Sequence, residues 1–269
     1  MALKLSSTRM IAHGLNTSVR AVGSLFGQTR SLKVLGQLRY LLTSHAEVVV
    51  GGRRVRLVIL DRHGSYWALD GASSEPETIG WINGFAADDV FYDIGANVGL
   101  YSLYASLHRH CRCVALEPNP FSFDALIRNM LLNHLQGRIT ALCLAAAQHD
   151  GITALGFVSD QSGAIGSTLT DRNGAGSRID AMVTRLDTLV KLNHIPFPNH
   201  IKIDVDGIED LVVAGALSTL GDNRVRSLLI EICDAPPERL AKLNACLREC
   251  GLTHCEHQSS ARNWIFNRA

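Results

Sequence analysis

Three acidic residues close apolar runs in this chain. Asp93 follows Val90-Phe91-Tyr92, Glu117 follows Cys113–Leu116, and Asp204 lies within Ile201–Val205. Continuous apolar runs of this kind suit central parallel strands buried on both faces. In such a sheet, ligands bind beyond the carboxyl ends of the strands, next to the point where strand order reverses. The three carboxylates therefore converge on one edge. Asp206 and Glu209 crowd the same edge from the strand-to-helix turn Ile203–Glu209. One carboxylate among Asp204, Asp206 and Glu209 can serve as a base toward a bound hydroxyl. Such a group can also hold a divalent cation. Glu209 has a simpler use as well, since an acid in the first turn of a helix opposes its dipole.

The turn Asp93-Ile94-Gly95-Ala96-Asn97-Val98-Gly99 decides which cofactor suits that edge. A dinucleotide site uses G-x-G-x-x-G so that backbone amides cradle a pyrophosphate. Here Asn97 replaces the middle glycine, the last glycine comes at 99 instead of 100, and a carboxylate stands at the strand end. That charge disfavours pyrophosphate. It favours a cofactor with a cationic end, and S-adenosylmethionine carries both an ammonium and a sulfonium. Gly95 permits the tight turn, and Gly99 lets the following helix approach the strand. Glu117 lies 24 residues beyond Asp93, near the spacing at which an acid accepts hydrogen bonds from ribose hydroxyls. NAD has the same ribose, so an NAD-type oxidoreductase competes on Glu117 alone. A cofactor-binding subunit without catalysis competes on all three acids.

The elements that position these residues follow from the pattern. Glu47–Val50 and Arg54–Leu60 read as a hairpin around Gly51-Gly52. Ser74-Glu75-Pro76-Glu77 reads as a capping box with Ser74 at the cap, ahead of a short helix through Trp81 and Ile82. Helices over 98–108 and 121–134 flank the second strand, and Ile139–Ala145 is a third strand. After Ile201–Val205 come a helix over 208–219, a strand at Ser227–Ile232, a helix over 237–250 and a hairpin over 252–267. This alternation predicts a doubly wound, mostly parallel sheet with right-handed crossovers. The segment 151–185, rich in Gly, Ser and Thr, predicts loops and short antiparallel pieces. It is expected to shape the acceptor site. Lys202 is expected to pair with a nearby acid, and Glu231 to line the acceptor pocket. His194 and His200 flank the start of their strand, the wrong end for chemistry, and read as structural.

These motifs resemble the FkbM family of methyltransferases. The similarity runs from Tyr92–Gly99 through Leu116-Glu117-Pro118-Asn119-Pro120 and Ile201–Glu209 to Ser227–Ile232. It implies a Rossmann-like class I methyltransferase with a seven-stranded sheet and transfer of a methyl group to oxygen. In that family Asp93, Gly95 and Asn97 would hold the methionine end of the cofactor, with Ala96 and Gly99 completing the turn. Glu117 would hold the ribose. Pro118 and Asn119 would lie near adenine, Ala145 and Ala146 would flank it, and Asp204 would border the site. The family often has Glu where this chain has Asp206, which shortens that carboxylate by one methylene. The implied acceptor is a small molecule or a glycan: a hydroxyl on a glycan, a glycolipid or a secondary metabolite.

The organisation expected is a basic helical arm over 1–46, a hairpin and helix over 47–87, and a methyltransferase domain over 88–269. With 269 residues, 46% apolar and 19% charged, the chain has ample material for a core. The arm carries six Lys/Arg and no acid, against 20 basic and 25 acidic residues in the remainder. A basic stripe over the whole protein is absent, which excludes a nucleic-acid binder of the usual kind. Ile11, Leu15, Val19, Val22 and Phe26 recur at helical spacing. Packing on the body or on a second subunit as a homodimer, contact with an anionic membrane, and an organellar presequence all fit the arm. The cytoplasm is the default location, with a membrane-peripheral or organellar one if the arm is a targeting segment. Cys246, Cys250, His254, Cys255 and His257 lack a C-x-x-C knuckle, so no metal site is expected there. Cys111 and Cys113, two apart, suit burial, and reduced thiols are expected.

Overall fold

The computed structural model describes residues 14–21, 28–42, 44–61, 75–157, 159–163, 168–170, 177–192, 194–232, 236–260 and 262–268. The chain forms two compact units, Met1–Ser44 and His45–Ala269. In the first, helical turns cover 14–21, with Leu15 and Val19 on them, and α1 runs over Gln28–Leu42. Ile11, Val22 and Phe26 lie outside the described residues.

The second unit opens with β1 (Ser44–Val50) and β2 (Arg53–Ile59). Gly51 and Gly52 join them at φ +53° and +76°, the left-handed pair that a two-residue hairpin turn requires. Alternation buries Val48, Val50, Val55 and Leu57 on one face. The amide of Val58 donates to Asn129 Oδ1 at 2.7 Å, and that of Arg56 to Asn133 Oδ1 at 3.1 Å. These side chains zip the hairpin to the helix that carries them. Next comes α2 (Pro76–Asn83), with Glu75 at its cap. Glu75 Oε2 accepts from Thr78 Oγ1 at 2.9 Å. Ser74 of the expected capping box lies outside the described residues, and Glu77 accepts from Asn263 Nδ2 at 3.0 Å.

The core then alternates β3 (Val90–Ile94), α3 (Leu100–His108), β4 (Arg112–Leu116), α4 (Pro120–Leu132) and β5 (Ile139–Leu142). A second sheet follows: β6 (Ala145–Ala146), β7 (Gly151–Phe157), β8 (Thr168–Thr170) and β9 (Ser177–Thr184). The short helix α5 (Leu186–Leu189) leads to β10 (His200–Ile203), α6 (Glu209–Ala214), α7 (Leu217–Leu220) and β11 (Ser227–Glu231). The chain ends with α8 (Pro237–Glu249), β12 (Leu252–His254) and β13 (Asn263–Arg268). The seven-stranded sheet has the order β12-β13-β11-β10-β3-β4-β5. It is parallel except at β13, which runs antiparallel to β11 and β12. This is the Rossmann-like class I methyltransferase arrangement that the sequence implied. From β3 the chain winds out to β5, then returns to β10 and winds the other way. The switch point therefore lies between β3 and β10.

Two expected boundaries are corrected. Ile139–Ala145 is not one strand, because the chain kinks at Cys143-Leu144 and Ala145–Ala146 joins β9 in the second sheet. The helix over 208–219 breaks at Gly215. A Cβ there would lie 2.0 Å from the carbonyl oxygen of Ala147, so the two backbones touch. The antiparallel pieces expected in 151–185 are β7, β8 and β9.

At the sheet's amino edge, His200 Nδ1 lies 2.7 Å from Ser227 Oγ and Nε2 lies 3.0 Å from Asp89 Oδ2. Trp81 Nε1 donates to the same Ser227 oxygen at 2.8 Å, and the imidazole stacks on Phe85 at 3.8 Å. Burial lowers the proton affinity of His200, although Asp89 opposes this. Ser227→Ala would leave the indole N–H and an imidazole nitrogen without partners. It is expected to cost about 1–3 kcal/mol, read as a lower denaturant midpoint at unchanged slope.

Candidate active site

β3 and β10 pair in parallel, with Lys202 opposite Asp93. Alternation turns both side chains toward α3, while Tyr92, Ile94, Ile201 and Ile203 pack on the other face. Asp93 was expected at the pocket rim. It lies instead inside β3, fully buried, because the strand continues through Ile94. Its Oδ2 accepts from Ser102 N at 3.1 Å and Ser102 Oγ at 2.7 Å. Its Oδ1 has no hydrogen-bond partner among the described residues. Burial raises the Asp93 pKa, with Lys202 and Ser102 opposing the rise.

The turn beyond β3 presses against the turn beyond β10. Gly95 sits at φ +80°, and a Cβ there would lie 1.8 Å from the carbonyl oxygen of Asp204. The amides of Gly95 and Ala96 donate to the Leu116 carbonyl at 3.0 and 2.9 Å. Asn97 adopts φ +52°, and its Oδ1 is a second buried acceptor without a partner among the described residues. Gly99 precedes α3 at φ +83° and faces Leu126.

Glu117 ties this turn to the next. Its Oε2 accepts from the Asn97 amide at 2.8 Å and its Oε1 from the Asn119 amide at 2.7 Å. Burial raises its pKa to about 7 against the pull of those two amides. The Asn119 side chain caps α4, accepting from Phe121 N at 3.0 Å. Its neighbour Pro118 joins Gly95, Ala145, Ala146, Leu155 and Asp206 around a narrow, mainly apolar pocket.

The three candidate bases part company. Asp204 is partly exposed and ion-paired with Lys202. It also shares a hydrogen bond with Glu231, which pairs with Arg262. Asp206 is exposed at the rim of the apolar pocket. Glu209 is buried and turned toward α8. Its Oε1 accepts from the Gly207 amide at 2.9 Å, and its Oε2 lies 2.9 Å from Arg239. Both oxygens of Glu209 are thereby committed to holding the turn and the helix behind it. Among the described residues, no group of three or more His, Cys, Asp or Glu is arranged to hold a metal ion.

Burial raises the Glu231 carboxyl to about 8, helped by its hydrogen bond to Asp204 and by the charge of Asp204. Asp204 is held low, because Lys202 and the bond from Glu231 outweigh its burial. Lys202 stays charged: its own burial is overcome by Asp204, Asp93 and Glu75. Its Nζ lies 4.8 Å over the ring of Tyr101. The pairing expected for Lys202 is thus with Asp204, and Glu231 stands at the expected edge. The sequence pattern does not single out Tyr101 or Arg262, and Glu75 figures there only as part of a capping box, since only the strand order and the start of α2 bring them here.

Residues 93–252 match the methyltransferase FkbM domain, more than half of the chain. The chain belongs to the FkbM methyltransferase family. Hexuronic acid methyltransferase AglP of Haloferax volcanii is 27% identical over 157 residues, which span 58% of this chain and 61% of that protein. The 31-O-demethyl-FK506 methyltransferase FkbM of Streptomyces tacrolimicus is also 27% identical, over 61% of this chain and 73% of its own length. Among solved structures, methyltransferase FkbM from Methylobacillus flagellatus KT is similar at a TM-score of 0.47 and 18% identity. That match covers 68% of this chain and 44% of that one. The FkbM domain takes in Asp93, Glu117, Asp204, Asp206, Glu209 and Glu231, and leaves Glu75, α1 and the β1–β2 hairpin outside it.

Proposed function

We propose that this FkbM-family chain is an S-adenosylmethionine-dependent O-methyltransferase acting on a hydroxyl of a glycan, glycolipid or secondary metabolite. The observation that carries the reading is the pair of donorless oxygens, Asp93 Oδ1 and Asn97 Oδ1, at a glycine turn in the switch point. A buried acceptor left unpaired costs about 1–3 kcal/mol, so such atoms suit a ligand that brings N–H donors. An ammonium meets that need, and a pyrophosphate does not. S-adenosylmethionine, when bound, supplies that ammonium and a methyl carbon activated by sulfonium. Asp93 and Asn97 receive its amino-acid end, and Glu117 keeps lone pairs for ribose hydroxyls. Pro118, Ala145 and Ala146 provide apolar walls for adenine. Asn119 acts at one remove, by holding Glu117 through its amide.

Proton removal from the acceptor falls to Asp204 and Glu231. The two carboxyls share a hydrogen bond at the carboxyl edge. Burial and the Asp204 charge raise Glu231 while Lys202 holds Asp204 low, so the pair titrates as a unit that can take up the acceptor's proton. Asp204, kept ionised beside Lys202, holds Glu231 in place and sets its proton affinity. One relative's name gives a hexuronic acid and the other's an O-demethyl compound, which supports a sugar or secondary-metabolite oxygen as acceptor.

Calorimetry with S-adenosylmethionine tests the donor. Affinity is expected to rise with pH up to about 7, because the ribose hydroxyls donate to ionised Glu117. Glu117→Gln should flatten that dependence and weaken binding by roughly 10- to 100-fold. A folded chain that binds NAD and ignores S-adenosylmethionine would sink the reading. Comparing glycans and lipids from cells with and without the protein, for a mass gain of one CH₂, identifies the acceptor. With that acceptor, Asp204→Asn and Glu231→Gln are expected to lose roughly 10²- to 10⁴-fold in turnover. Glu209→Gln should keep most of it. Wild-type rates in both Asp204→Asn and Glu231→Gln would remove the pair from the chemistry.

A further inference from the structure

We propose that the first unit is an anchor that lies on the surface of an anionic lipid bilayer. Residues 1–46 carry six Lys/Arg and no acid, while the rest of the chain has more acids than bases. Successive residues of a helix turn by about 100°. On α1 this gathers Leu32, Val34, Leu35, Leu38 and Leu41 into one half of the circumference. The other half holds Thr29, Arg30, Lys33, Gly36, Gln37 and Tyr40, which is exposed on the side of the two cations. Leu32 and Leu41 are 64% and 66% exposed and Val34 is 41% exposed. Leu35 and Leu38 at its centre are half-buried, and the exposed Leu32, Val34 and Leu41 flank them, a set of open apolar side chains that marks a docking face.

Charge selects the occupant. The arm of a second copy, acid-free and basic like this one, would repel it when set face to face. An anionic bilayer offers the opposite charge to Arg30 and Lys33 and an apolar layer to the leucines. At 15 residues, α1 is about 22 Å long, short of the roughly 30 Å hydrocarbon layer. Among the described residues, no helix is long and apolar enough to cross a membrane. The helix therefore lies in the interface plane.

Flotation of the full chain with vesicles decides the matter. Vesicles of phosphatidylcholine with about one third phosphatidylglycerol are expected to carry the protein, and phosphatidylcholine alone is not. Added salt should release it. The double variants Arg30→Glu/Lys33→Glu and Leu32→Ser/Leu41→Ser are each expected to weaken binding by roughly tenfold or more, with an unchanged unfolding transition. Equal binding to both vesicles, binding to neither, or undiminished binding of both variants would overturn the proposal. Sedimentation showing an arm-dependent dimer without vesicle binding would assign the face to a second copy instead.

Discussion

Lys202→Met is expected to destabilise the second unit by about 3–5 kcal/mol, the usual cost of breaking a buried ion pair from one side. Lys202 is 1% exposed and stands between Ile201 and Ile203, so its chain cannot reach solvent. Its ammonium neutralises Asp204 and faces Asp93 across the strand pair. Methionine fills a similar volume but leaves those two carboxylates, with Glu231 close by, in an apolar setting. They would respond by taking up protons, so the loss should be largest above neutral pH and shrink in mild acid. Adding Asp204→Asn to Lys202→Met should recover part of the loss, since the two sites share one interaction. Urea unfolding of the single and double variants at both pH values checks all three statements. A single variant within about 1 kcal/mol of wild type above neutral pH would refute the account.

Gly95→Ala is the second large effect. At φ +80° an alanine is strained, by about 1–2 kcal/mol. Its methyl would stand 1.8 Å from the carbonyl oxygen of Asp204. That neighbour is backbone, so β3 and β10 must separate for it to fit. Overpacking adds about 1–3 kcal/mol. The same displacement moves Asn97 and Asp204 at once, so donor binding should disappear together with several degrees of Tm. Gly99→Ala offers the internal comparison. It has a similar φ, but its methyl would meet the Leu126 side chain at 3.0 Å, which can shift. Thermal unfolding and calorimetry should therefore rank Gly95→Ala well below Gly99→Ala. Equal behaviour would mean that the contact with Asp204 is relaxed in solution.

The parts of this site that were legible in the sequence are those fixed by chain-local pattern. Apolar runs closing on Asp93, Glu117 and Asp204 located three central strands. Glu231 was legible for the same reason. The Gly51-Gly52 hairpin and the antiparallel pieces after Gly151 followed from turn chemistry. What was missed depends on which elements become neighbours. Glu209 sits in a first turn that suits an acid, but its partner Arg239 comes from α8, about thirty residues on. Asp93 looked terminal because the apolar run ends there, yet β3 extends through Ile94 and carries it inside. The break at Gly215 has no local cause. It arises where the backbone of Ala147 touches it.

The second sheet has a further consequence. Leu155 of β7 and Leu169 of β8 help wall the narrow pocket at the switch point, and β6, at the other side of the same ribbon, supplies Ala145 and Ala146. One ribbon therefore borders that pocket from several of its strands. Occupancy of the pocket and order of the ribbon are then linked quantities. A substrate that stiffens the ribbon must tighten donor binding by the same factor by which the donor tightens substrate binding.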